Sequence, residues 1–385
     1  MQQEKDKVIF ANQLRAIAII AVMIIHLCGI YWVARDTVSA YIFAPAIEGP
    51  SSRLLGWLSP PTVNYGPFGV AIFFLISGFV IPFSLAKSSP VEFLISRFLR
   101  IYPTYLTGTA VMLLCIWLSS HYWGKEFAMN AEVLLANLSL VHSNILIKTI
   151  DLVNWTLAIE IKFYLISAIL YSAIRKANPL PIVFLAVATL CFTDWYPVAH
   201  SIINFTHFNL SIESIKVELM VVCFMFIGTF FYFHFSEKIT TIELISYSSI
   251  LLLLILMCWT RNSWADQIPS TPQNYIYGLC VFVAAYTLRK HFRPFAPLDF
   301  IAKISYPLYI THSLIGYSII RIAMDKNIPY FAALLIAVSI IIAISYALHI
   351  TIETKSIDFG KSLIRKLRNK NSQNQIELNQ ANSNT

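Results

Sequence analysis

The chain has 385 residues, of which 57% are hydrophobic, 14% aromatic and 12% charged, and it carries a formal charge of +8. With a mean hydropathy of +0.66, this composition excludes a soluble globular domain and describes an all-α integral membrane protein, a polytopic bundle embedded in lipid. Cys28, Cys115, Cys191, Cys223, Cys258 and Cys280 stand singly in apolar runs, without disulfide or metal-ligand spacing, and read as packing residues.

The charged start could be taken for a signal peptide, but no small-residue cleavage site follows, so Leu14 to Trp32 reads as a permanent first helix. Hydropathy predicts helices near 12–33, 68–87, 101–120, 152–174, 180–196, 217–235, 244–260, 274–288, 304–324 and 330–351. About ten spans put both termini on one side. Nineteen Lys and Arg fall in the N-terminus (Lys5, Lys7, Arg15), the even loops and the tail, against eight in the odd loops, which places both termini in the cytoplasm. Glu132 to Ile147 is apolar but short and contains Asn137, His142 and Asn144; a span there would turn the basic loops at Arg175 and Arg289 outward, so it reads as interfacial or re-entrant. After the last span, Lys361, Arg365, Lys366, Arg368 and Lys370 suit anionic lipid rather than nucleic acid, and the polar run from Asn371 reads as disordered. The organisation is therefore a membrane domain over 1–355 and a basic, then disordered, cytoplasmic tail over 356–385.

Four groups of polar residues stand out from the apolar background. Arg15 and His26 lie eleven positions apart, which brings both to one helical face about 16 Å apart along the axis; they read as a ligand anchor with a buried base, or as a surface arginine and a core histidine. Arg97 and Arg100, in SRFLRIYP at the entrance to the third span, share a face and suit a phosphate, or simply anchor the helix end. Pro103 suits the first turn of that span. Glu160, in NWTLAIEIKFYL, needs a partner or water, with Trp155 and Tyr164 as substrate or packing aromatics. Ser77-Gly78 serve close packing or an oxyanion, and Ser305, Tyr306, Tyr309 and His312 bring a second buried histidine.

In order along the chain, Arg15 with His26, GVAIFFLISGF (69–79), RFLRIYP (97–103), NWTLAIEIKFYL (154–165) and SYPLYITHS (305–313) resemble the acyltransferase-3 family of bacterial integral-membrane acyltransferases. The resemblance runs from residue 14 to about 350 and implies transfer of an acyl group, most often acetyl, from acetyl-CoA or another acyl-CoA to a hydroxyl of a cell-envelope or exported glycan, free or lipid-linked. It implies that Arg15 and His26 are essential, that the Arg97/Arg100 loop binds the donor, and that Glu160 belongs to the site in a bacterial cytoplasmic membrane. Two departures stand out: Ala71 occupies a position that is often acidic in the family, and only a short tail follows the membrane part, as in stand-alone members.

Together these readings predict that donor phosphates meet Arg97, Arg100 and Arg15 while the thioester reaches His26, acting as base or acyl relay. Glu160 or His312 would orient the imidazole, and Ser77 or an amide near Gly78 would face the oxyanion. No metal ion is expected, and the oligomeric state is not legible. Aromatics of the outer connections (Tyr31, Trp32, Tyr41, Trp57, Tyr65, Tyr122, Trp123) suit either a sugar face or an interfacial belt. The rival reading is a secondary transporter or glycan flippase with His26, Glu160 and His312 as a proton relay, although no repeated halves are visible.

Overall fold

The computed structural model describes residues 8–51, 62–196, 202–205 and 208–383, with side chains described as far as residue 369. Lys5, Lys7, Trp57 and the side chain of Lys370 lie outside the described residues. Each position where hydropathy predicts a span is helical. The principal helices are α1 (Ile9–Ile24), α2 (Tyr65–Leu85), α3 (Pro90–Tyr122), α4 (Ala131–Leu138), α5 (Asn154–Ile169) and α6 (Leu180–Trp195). They continue with α7 (Ile212–Phe235), α8 (Thr241–Trp259), α9 (Thr271–Thr287), α10 (Ala296–Asp325), α11 (Tyr330–Leu348) and α12 (Thr354–Ser383). A short antiparallel hairpin pairs Ile202 with Ser211 just before α7.

Among the described residues, six helical stretches are long and apolar enough to cross a membrane: Ile9–Val33, Tyr65–Leu85, Pro90–Tyr122, Ile212–Phe235, Thr241–Trp259 and Tyr330–Asn369. Their burial sorts them. In α7, 83% of the apolar window is buried inside the protein, against 22% in α8, so α7 is the apolar centre and α8 turns its side chains outward to lipid. Helix α2 packs on α1, α7 and α9, and α10 packs on α1, α3 and α11.

Helix starts follow the side chains that satisfy free backbone N–H groups. Asn64 caps α2 by accepting from Gly66 N, and Ser89 with Glu92 forms a reciprocal capping box at the start of α3. That box corrects the expectation that Arg97 and Arg100 lie in a loop ahead of a helix beginning near Pro103. The helix starts at Pro90, both arginines lie within it, and Pro103 is an interior residue. A membrane helix tolerates this proline because neighbouring elements satisfy the backbone groups it frees.

The segment around Glu132 is one short helix, α4, followed by turns, and no spanning helix forms there. Asn137 explains the fold-back: its amide donates to Val133 O and Lys148 O, while its Oδ1 accepts from Ile150 N and Asn154 Nδ2. Asp151 closes the turn by accepting from Val153 N and Asn154 N at 2.8 and 2.7 Å, fixing the start of α5. The tail also departs from its sequence reading. Helix continues from Thr354 to Ser383, where a disordered end is expected from Asn371, and Arg368 donates to both carboxylate oxygens of Glu92 at 2.7 and 2.8 Å. That ion pair draws the basic face of α12 onto the start of α3.

Helices α2 and α7 cross in close contact at Gly78 and Gly228. A Cβ at Gly78 would lie 1.8 Å from Met225 O, and one at Gly228 would lie 2.2 Å from Leu75 O. Gly228→Ala is therefore expected to lower the thermal midpoint of the detergent-purified protein, by a cost of about 1–3 kcal/mol or more for overpacking. Gly360→Ala, whose Cβ meets only Leu99 at 3.4 Å, should be neutral; equal midpoints for both variants would contradict the crossing.

Asp151 supplies a pH test. Burial pushes its carboxyl up to about 6, outweighing the two amide bonds that lower it, whereas an unfolded aspartate titrates near 3.9 by the usual reference of about that value. The raised value means stability is retained below about pH 4 and is lost as pH rises through about 6, by on the order of 3 kcal/mol. Asp151→Asn keeps the acceptor oxygen and removes the charge. Its thermal midpoint should fall less than that of the wild type between pH 5 and pH 8, and parallel pH curves would contradict the assignment.

Candidate active site

Two cavities meet inside the bundle. The inner one, about 120 Å³, lies towards the beginnings of α1 and α3 and is lined by Arg15, Ser77, Arg97, Arg100, Glu160 and Tyr164, with Tyr306 and Tyr309 of α10. Glu160 Oε1 accepts from Ser77 Oγ at 3.1 Å and from Tyr164 OH at 2.5 Å. Tyr164 stands four residues after Glu160 on α5, the spacing that stacks two side chains on one face. The Arg97 guanidinium lies over the rings of Phe93 and Tyr164, 5.5 and 5.9 Å from their centres. Its Nε is buried without a hydrogen-bond partner. None of the ion pairs among the described residues joins Arg15, Arg97 or Arg100 to a carboxylate. A buried donor without a partner costs about 1–3 kcal/mol, more when charged, so the arrangement suits an anionic group brought in from outside.

The outer cavity, about 1460 Å³, opens at the opposite end of α1 and is lined by His26, Asn64, Trp155, Trp264, Tyr275 and Tyr309 among others. Along α1 and the helical turns that follow it, Arg15, Val22, His26, Gly29 and Val33 look onto the cavities, flanked by Ile25, Ile30 and Ala34, which places Arg15 and His26 on one side as helical spacing predicts. His26 lies in a π-helical turn, Ile25–Ile30, that follows α1; such turns insert one residue and often occur at functional sites. His26 Nδ1 lies 3.2 Å from Tyr317 OH, and its ring stands edge-on to His312 with centroids 5.0 Å apart. His312 Nδ1 points at the carbonyls of Leu308 and Tyr309, at 3.1 and 2.9 Å, so that nitrogen carries the proton. Its Nε2 is buried and unpartnered.

Val70 and Tyr309 line both cavities and so form the partition between them. Tyr309 is held by a 2.8 Å hydrogen bond between its hydroxyl and Thr156 Oγ1 and by edge contact with Phe73 at 5.6 Å.

The structure divides the sequence-derived residues between the two cavities. Arg15, Ser77, Arg97, Arg100, Glu160 and Tyr164 converge on the inner one; His26 and Trp155 line the outer one, with His312 packed behind His26. Glu160 is thus bonded within the inner cavity and does not orient His26; that position belongs to Tyr317. Ser77 donates to Glu160 rather than facing the histidine. Tyr317 escaped the sequence reading because its partner is 291 residues away, and Asp151, which also lines the inner cavity, escaped because its burial depends on the fold of the turn around it. Ala71 lines neither cavity. It is fully buried, and a Cβ on Gly278 of α9 would lie 2.8 Å from its own Cβ, so a larger side chain pointing there would lack space.

Among the described residues, no group of three or more His, Cys, Asp or Glu stands close enough to hold a metal ion. Searches of curated proteins and of solved structures each return no match. A family model described as an acyltransferase domain, that of acyltransferase-3, matches residues 8–350. With a family match across the helical bundle that builds both cavities, and with six helical stretches fit to cross a bilayer, the chain belongs to the acyltransferase-3 family and is a membrane acyltransferase.

Proposed function

We propose that the protein moves an acyl group, most readily acetyl, from cytoplasmic acyl-CoA to a hydroxyl of a cell-envelope or exported glycan. The observation that carries this reading is the convergence of Arg15, Arg97 and Arg100 on the inner cavity, with Arg97 Nε buried and unpartnered, while His26 opens on the other side of a thin partition. In this reading about ten helices span a bacterial cytoplasmic membrane with both termini inside, so that the inner cavity meets cytoplasm and the outer one the exterior.

The donor's phosphates pair with the guanidinium groups through charge-assisted bonds. Its extended arm passes Tyr309 and Val70, and the three helical turns between Arg15 and His26, about 16 Å, set the length of chain needed. His26 takes the proton of the acceptor hydroxyl as that oxygen attacks the thioester carbonyl. Tyr317 holds Nδ1 and leaves Nε2 for the reaction. A carbon–oxygen bond forms, the carbon–sulfur bond breaks, and the proton taken by His26 passes to the departing thiolate, so ester and free CoA thiol leave. Glu160, held by Ser77 and Tyr164, sets the positions of the arginines' surroundings rather than acting on the imidazole. Its separation from His26 also argues against a proton relay through both, as a transporter would need.

Calorimetry with detergent-purified protein tests the donor site. Acetyl-CoA should bind saturably, and Arg97→Ala/Arg100→Ala should weaken it at least tenfold, since a hydrogen bond to a charged group contributes about 1.5–3 kcal/mol. Unchanged binding in the double variant would remove the arginines from donor recognition. His26→Ala should bind acetyl-CoA as wild type does yet lose roughly 10²–10⁴-fold in transfer, the range for a general base. Wild-type turnover in that variant would rule out the base, and a trapped acyl-histidine in the wild type would replace direct transfer by a covalent relay.

A further inference from the structure

Helix α9 buries three polar side chains in its first turns, and they are of two kinds. Asn274 is bonded on both sides: its Oδ1 accepts from Asn64 N at 2.8 Å and its Nδ2 donates to Ser270 O at 2.7 Å. It thereby ties the start of α9 to the capping residue of α2. One turn further along, Gly278 brings the α9 backbone against Phe68 and Ala71 of α2. Thr271 and Tyr275 are also buried, yet Thr271 Oγ1 and Tyr275 OH have no hydrogen-bond partner.

Those two residues stand four apart, on one face of the helix, and both line the outer cavity together with His26. The Tyr275 ring packs on Phe224 of α7, with centroids 4.8 Å apart, and lies within electrostatic range of the Tyr309 hydroxyl at the partition. Each residue already contributes atoms to the cavity surface, so a small turn of the side chain carries its oxygen to a ligand there. A buried hydroxyl without a partner bears its full desolvation penalty, which valine or phenylalanine in the same place would not. Packing alone therefore does not account for these two oxygens.

The rest of the lining selects the ligand. Among the described residues no carboxylate, ammonium or guanidinium group lines the outer cavity, and the Lys162–Glu218 ion pair, closed at 2.9 Å, lies outside it. A charged ligand would find no counter-ion in that lining, and an alkyl chain would leave both hydroxyls unsatisfied. Hydroxyl groups of a neutral ligand can both donate to and accept from Thr271 and Tyr275. Trp155 and Trp264, whose rings meet edge to face with centroids 5.7 Å apart, add aromatic surface for the C–H face of a sugar ring.

We propose that Thr271 and Tyr275 are acceptor-binding residues, whose hydroxyl groups hold an uncharged sugar beside His26 in the outer cavity. This rests on the acyl-transfer reading above and adds the chemical class of the acceptor and the residues that recognise it.

The test uses the full-length protein in nanodiscs with radiolabelled acetyl-CoA. The acceptor probes are glycans released from the envelope of the source cell and separated by anion exchange into neutral and acidic fractions. Label should enter the neutral fraction. Thr271→Val and Tyr275→Phe should each raise the KM for that fraction by about threefold, and together by about tenfold, the scale of one and two neutral hydrogen bonds. Their kcat and acetyl-CoA affinity should stay unchanged. Their thermal midpoints should equal or exceed that of the wild type, since each substitution removes an unsatisfied oxygen. Unchanged KM in the double variant, lowered midpoints without a change in KM, or preferential labelling of the acidic fraction would overturn the proposal while leaving acyl transfer in place. Tryptophan fluorescence separates the two layers. If the wild type transfers nothing, saturable quenching by the neutral fraction that the double variant weakens would uphold the sugar site and reject acyl transfer; absence of both quenching and transfer would reject the sugar site as well.

Discussion

The arrangement of the whole site depends on keeping guanidinium groups inside an apolar bundle without giving each its own carboxylate. Arg15, Arg97 and Arg100 share the inner cavity with Glu160 and Asp151, yet the bonds of Glu160 go to Ser77 and Tyr164 and those of Asp151 to the backbone at the start of α5. Both carboxylates are thereby occupied by neutral donors and remain where they lower the potential without quenching the arginines. Aromatic faces do part of the same work: Phe93 and Tyr164 lie beside Arg97 and offer their negative quadrupoles without an ion pair. Full neutralisation by adjacent carboxylates would stabilise the empty protein and weaken its attraction for a phosphate.

Tyr309 links this charge arrangement to the chemistry. It belongs to both cavities, bonds to Thr156 on the helix that carries Glu160, and packs against His312, which in turn packs against His26. A donor arm passing the partition must displace or skirt this ring. Movement of Tyr309 would then be felt on both sides, at α5 through Thr156 and at the imidazole pair through His312. The partition also separates cytoplasmic from outer water in the proposed topology, so a membrane seal and a substrate passage fall on one side chain.

Much of this was legible in the sequence, for reasons that can be stated residue by residue. Helical periodicity alone places Arg15 and His26 on one stripe, and the inserted π-helical turn begins late enough to preserve it. Hydropathy locates the helices because backbone groups in lipid must be satisfied within each segment. Pro103 suits a helix start by its fixed φ, but the Ser89/Glu92 capping box places the start of α3 at Pro90. Tyr317, Trp264 and the Lys162–Glu218 pair were beyond reach, since their partners come from distant segments. The side of the bundle that each carboxylate faces was equally hidden, and this moved Glu160 away from His26.

Helix α2 shows why hydropathy could not resolve these faces. Val70, Phe73, Phe74, Ser77 and Ile81 look onto the inner cavity, at spacings that keep them on one side of a helix. One residue further along, Ala71 meets Gly278 of α9 and Gly78 meets α7 in close contact. Both faces are largely apolar, so their amphipathic signal cancels. The two faces are nevertheless coupled mechanically. Ser77 reaches Glu160 only if its neighbour Gly78 lets α2 lie against α7, and Thr229 of α7 secures that contact by donating to Gly78 O at 3.0 Å. A methyl group at the crossing would displace α2 outward and take Ser77 and Val70 with it. The dense motif in α2 is therefore best understood as one packing face that fixes the position of an adjacent chemical face.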